Sequence, residues 1–124
     1  MSLFGNLSDI PESGPVEPGE YDLRIVQAKE QSYNSGAKAI LLICEVLDND
    51  NADDIFHKLW LPTDTDTEKK AATKLRMIKE FLDAIGLNPD DVQDPGDFVG
   101  IEFTAKLKID EYEGQRRNEV ERVV

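Results

Sequence analysis

"LWLPTDTDTEKKAATKLRMIKEFLDAIGL", residues 59–87, is where the chain changes period. Up to Leu61 apolar and polar side chains alternate, and Pro62, which cannot donate to a ladder, ends that strand. Beyond it Ala71, Leu75, Ile78, Leu82 and Ile85 recur at spacings of four, three, four and three, a single apolar stripe on one helix. Thr65, with Glu68 three residues on, forms a capping box, and Asp66 falls in the first turn, where the helix dipole favours an acid. Gly86 supplies the left-handed residue that closes the C-terminus. The spacing predicts one helix over 66–85.

Working outward, the period is two on both sides. In "EYDLRIVQAKEQ" (20–31) Tyr21, Leu23 and Ile25 alternate with Asp22 and Arg24, a strand with one face inward. "SYNSGAK" (32–38) turns it, through Asn34, Ser35 and Gly36, into a second strand over about 37–47. That strand is nearly continuous apolar, so it is central or covered on both faces. "DNDNADD" (48–54) leads to a third strand, 55–61. After the helix, "LNPDDVQDPGDF" (87–98) is a loop with room for one helical turn starting at Asn88 and Pro89. Ile101, Phe103, Ala105, Leu107 and Ile109 then alternate with polar residues in the cleanest strand of the chain. "YEGQ" (112–115) turns it into "RRNEVERVV" (116–124), a fifth strand.

Residues 1–18, broken by Gly5, Pro11, Gly14, Pro15 and Pro18, form an irregular arm, and 19–124 form one domain. The fold class is mainly β with one helix. Five strands with the helix between the third and fourth is the connectivity of the OB-fold, a five-stranded, partly open barrel. An open five-stranded sheet packed by one helix has the same element order.

The 124 residues, 40% apolar and 32% charged, suffice for a core without disulfides or metals. The lone Cys44 lies within "AILLICEV" (39–46), a position for a small buried hydrophobe, and the start of the chain lacks the basic and apolar regions of a signal peptide. No segment is apolar for long enough to span a bilayer. These features point to a cytoplasmic protein without a membrane partner. The net charge of −12 opposes binding to a polyanion, but 15 of the 26 acids fall in 1–20, 48–54, 64–68 and 90–97. The rest of the chain keeps 11 acids against all 14 bases, so a locally basic face can coexist with acidic loops.

Catalytic readings fail for want of parts. His57 is the single histidine, and its parity sets it with Ile55, Leu59 and Leu61, away from any nucleophile. No HExxH, CxxC or glycine-rich phosphate loop occurs, and no cofactor is expected. "DNDNADDIFHKL" (48–59) begins like a calcium loop but has Asp53 where the turn needs glycine and Leu59 where the bidentate glutamate belongs. The expected protein is not an enzyme and holds no metal.

"DIFHKLWLP" (54–62) carries the candidate site. Turning Phe56, Lys58 and Trp60 inward would bury an unpaired ammonium at a cost of several kcal/mol, so the odd residues form the core side. An aromatic, a cation and an aromatic then stand in a row outside, where nucleobases stack and phosphates find a counter-charge. Parity adds Arg24, Lys38, Lys106 and Lys108; Arg116 and Arg117 follow the last turn, and Tyr33 and Tyr112 sit at the two hairpin tips. The competing expectation is that the arm or a second copy covers Trp60 and Phe56 and the lysines only keep the sheet soluble. Parity leaves open whether exposed strands pair into a homo-oligomer.

"PGEY" (18–21), "SG" (35–36), "IKEFLDAIGL" (78–87) and "YEGQRRNEVERV" (112–123), in this order, resemble the phage-encoded single-stranded-DNA-binding proteins long catalogued as a phage domain of unknown function. The resemblance implies an OB-like fold that coats single-stranded DNA in phage replication or recombination inside the bacterial host, without enzymatic activity. The alternative is an acidic adaptor that docks replication or recombination proteins through its acidic loops.

Overall fold

The computed structural model describes residues 12–124 together with Leu3 and Gly5; most of the predicted arm therefore lies outside the described residues. Five antiparallel strands, β1 (Gly19–Ser32), β2 (Lys38–Val46), β3 (Ile55–Leu61), β4 (Glu102–Tyr112) and β5 (Gln115–Val123), form one sheet in the order β3-β2-β1-β4-β5. The helix α1 (Glu68–Ile85) joins β3 to β4, followed by two short 3₁₀ turns at Pro89–Asp91 and Pro95–Phe98. The sheet coils until its two edge strands, β3 and β5, touch, and α1 contacts both. No hydrogen-bond ladder joins these edges, so the sheet is open.

β1 is the element that lets one sheet curl around one core. It pairs with β4 through its first half and with β2 along most of its length, and a bulge between Ile25 and Gln27 breaks its register with β2. A bulge adds one residue to one strand and sharpens its twist. It also reverses parity. Leu23 and Ile25 are fully buried, whereas beyond the bulge Ala28 is the residue packed on the core and Gln27 and Lys29 are exposed. The core is built from Leu23, Ile25, Leu42, Cys44, Ile55 and Leu107, all fully buried, with Phe103 and Phe81 beside them. Burial, and next to it the charge of Asp54, pushes the Cys44 thiol up to about 12, so it is no nucleophile at neutral pH.

The helix starts later than the spacing suggests. Thr67, not Thr65, is the N-cap, its hydroxyl accepting from the Lys70 N–H at 3.1 Å. Asp66 is drawn out of the first turn because its carboxylate accepts from the Thr63 N–H at 3.0 Å and from the Lys74 ammonium at 2.8 Å. These bonds hold its carboxyl below the usual range, the Lys74 hydrogen bond first among the causes. Lys74 also reaches the Leu61 carbonyl, so Lys74 is turned toward the sheet and Leu75, expected in the apolar stripe, is left 56% exposed. In the second half of the helix Leu82 is buried and Ile78 and Ile85 pack on the core as the pattern has it, while Phe81, outside the expected stripe, is buried as well. Gly86 closes it at φ 75°.

The described end of the arm is tied to the sheet. Gly14 bridges Ala52 in parallel, and Val16 is buried. Asn118 of β5 accepts from the Val16 N–H at 2.8 Å and donates to the Val16 and Lys108 carbonyls at 2.9 and 3.3 Å. Asn118→Ala would leave both Val16 backbone groups without partners in a buried place, where each unmade bond costs about 1–3 kcal/mol. Urea titration is expected to show at least that loss, with faster proteolysis of the arm; unchanged stability would mean that the arm is not fastened here.

Candidate nucleic-acid interface

β3 has the predicted parity. Ile55 and Leu59 are buried, His57 and Leu61 half-buried, and Phe56, Lys58 and Trp60 exposed. Cross-strand register extends the outward row into three rungs: Phe56–Ile43–Gln27, Lys58–Leu41–Lys29 and Trp60–Ala39–Gln31. Leu41 and Ala39 are buried although they lie on the outer side, since the neighbouring side chains cover them. This is why β2 reads as continuous apolar: both of its faces are covered.

The β1–β2 hairpin adds Tyr33. Its hydroxyl donates to Gln31 Oε1 at 2.7 Å, and its ring lies 5.6 Å from that of Trp60 at an interplanar angle of 40°. The Lys58 ammonium stands 4.9 Å from the Tyr33 ring centre and 5.5 Å from that of Trp60. One cation therefore serves two aromatic faces, each contact adding about 0.5–1 kcal/mol at an exposed site. Trp60 keeps 39% of its surface open and Phe56 50%.

Phe56 belongs to a second cluster at the other end of β3. It shares a cleft of about 400 Å³ with Arg116 and Arg117, and with Asp53, Asp54 and Glu119. The Arg117 guanidinium covers the ring of the exposed Tyr112 at 4.5 Å. The remaining sequence candidates stand apart. Lys38 lies opposite Leu61 and shares the parity of the core side, so the register separates it from the Trp60 row; it is exposed at the end of the sheet. Arg24 lies between Glu45 and Glu102, at 3.7 and 3.4 Å. Lys106 pairs with Glu121 at 3.4 Å and Lys108 with Glu119 at 3.8 Å. Exposed pairs of this kind are worth less than about 1 kcal/mol, yet each supplies a carboxylate that would repel a phosphate.

Lys29 is the cation that strict alternation from Leu23 and Ile25 misses. The bulge puts it across Leu41 from Lys58. The signal for it was Ala28, a small apolar residue on the wrong beat among Gln27, Lys29 and Glu30.

His57 faces the other way and packs on Phe81 with ring centres 4.9 Å apart. Burial lowers its pKa below the usual 6.5. The unfolded chain then binds the proton more readily, so stability is lost as pH falls from 6.5 toward the depressed value and is fully present above 6.5. Thermal melts between pH 7 and pH 5 are expected to show this loss, at pH values above the range where Asp66 titrates. His57→Phe should flatten that part of the profile, and an unchanged slope would assign it to other groups.

Among the described residues no three histidine, cysteine or acidic side chains gather into a metal site, and no helix is long and apolar enough to cross a membrane. Fold and site together define a small five-stranded sheet protein whose outer face carries an aromatic and cationic patch beside carboxylate-rich surfaces. The chain belongs to the family described as Protein of unknown function (DUF669), whose model matches residues 6–123. No curated protein matches it.

Proposed function

We propose that the protein binds single-stranded DNA without sequence preference, with Trp60 and Tyr33 as stacking surfaces and Lys58 and Lys29 as phosphate contacts. The observation that carries this is the Tyr33–Lys58–Trp60 cluster, a half-buried ring from the β1–β2 hairpin and an exposed ring of β3 that share one exposed ammonium. Base stacking on such rings contributes about 1–3 kcal/mol per base. Phe56, Arg116, Arg117 and Tyr112 continue the surface around the β4–β5 hairpin. Arg24, Lys106 and Lys108 contribute less, because carboxylates already face them.

The strand order, with β3 and β5 touching at the sheet's free edges, supports an OB-type barrel left open on that side, in which the second and third strands are the ligand face. The resemblance to phage single-stranded-DNA-binding proteins supports a place in phage replication or recombination in the host cytoplasm. Titrating the protein with oligo-dT at several salt concentrations tests the reading. Quenching of Trp60 fluorescence and an affinity that falls with salt are expected, the slope counting the phosphates neutralised. No quenching at low salt would leave the acidic adaptor as the better account, which the carboxylates beside Arg24, Lys106 and Lys108 favour.

A further inference from the structure

A cleft of about 490 Å³ runs between β3 and α1, lined on the helix from Lys69 to Phe81. Consecutive β3 residues of both parities, His57 through Trp60, line it, which happens only along a strand's edge. Ile78, Met77 and Phe81 give the opposite wall an apolar surface, and Met77 is 63% exposed. β3 pairs with β2 alone, and among the described residues no backbone group of another element bonds its free edge. Four lysines, Lys58, Lys69, Lys70 and Lys74, stand around the opening, and no carboxylate lines it. Among the described residues Asp66 is the one acid paired with any of them.

We infer that this cleft takes an extended acidic peptide, which adds as a strand to the free edge of β3. A strand edge offers unpaired N–H and C=O groups that an extended peptide can satisfy, with specificity from pockets that receive alternate side chains. Here one set of side chains meets the apolar wall of Ile78, Met77 and Leu59, and the other meets the lysines. The partner is a segment alternating acidic with aliphatic or aromatic residues. A second copy of this chain offering its own β3 would set the same lysines against each other. Nucleic acid is the competing occupant, since Trp60 and Phe81 also line the cleft, and the aliphatic surface of Leu59, Met77 and Ile78 favours the peptide.

This surface shares Lys58 and Trp60 with the proposed DNA site, while Met77, Ile78 and the α1 lysines belong to the cleft alone, so the inference stands whether or not the DNA reading holds. The test uses a fluorescein-labelled peptide, Asp-Phe-Asp-Val-Asp-Phe-Asp-Val, and the same peptide with lysine for aspartate. Anisotropy should show binding of the acidic peptide only, and amide NMR shifts should centre on 58–61. Met77→Glu and Lys69→Glu, both at exposed positions, should each weaken the peptide about 10-fold, a change of about 1.4 kcal/mol. Their oligo-dT affinity should change far less. Equal binding of the lysine peptide, shifts centred on β5, or oligo-dT affinity falling in Met77→Glu as much as peptide affinity would each overturn the inference, the last by making the cleft a path for nucleic acid.

Discussion

Phe81→Ala is expected to lower the unfolding free energy by about 3–5 kcal/mol, the range for truncating a buried phenylalanine. Phe81 is 7% exposed and touches the two rings that tie α1 to the sheet, His57 at 4.9 Å and Phe103 edge-on at 5.8 Å. The site cannot collapse readily, because the helix is held at its start by the Asp66–Lys74 contact and at its end by Leu82 and Gly86. For a domain of this size the melting temperature should fall by about 10–20 °C. A loss below about 1 kcal/mol would show that α1 is held mainly by other contacts.

Trp60→Ala should weaken oligo-dT binding by roughly 5- to 150-fold, the loss of one stacked base at about 1–3 kcal/mol. Stability should fall by only about 1–2 kcal/mol, since the indole lies on the outer side but packs on the Tyr33 ring and under the Lys58 ammonium. Lys58→Gln separates stacking from charge: it should reduce the salt slope by about one while leaving fluorescence quenching in place. Trp60→Ala with unchanged affinity and an intact fold would remove the stacking role from this strand.

Much of the architecture was legible because periodicity is a direct imprint of burial. The five strands and the helix fall where the period-two and period-3.6 patterns place them, and the parity of β3 followed from the cost of burying Lys58. The parts that escaped depend on contacts distant in the chain. Lys74 displaced Leu75 from the buried stripe because Asp66 and the Leu61 carbonyl gave its ammonium partners, and no pattern within the helix announces that. Tyr33 joins Trp60 only once the hairpin has set its register. Parity alone cannot show that Arg24, Lys106 and Lys108 stand next to carboxylates, because those neighbours come from other strands.

The extra residue in β1 also acts as a boundary. On one side of it lie the rungs with Trp60, Lys58 and Lys29, and on the other the next outward rung is Glu45–Arg24–Glu102, followed by Asp22 hydrogen-bonded to Thr104. A chain of phosphates laid across the first rungs would meet a fence of negative charge after a few nucleotides. Each molecule would then claim a short footprint, and long stretches of strand would be covered by many copies side by side.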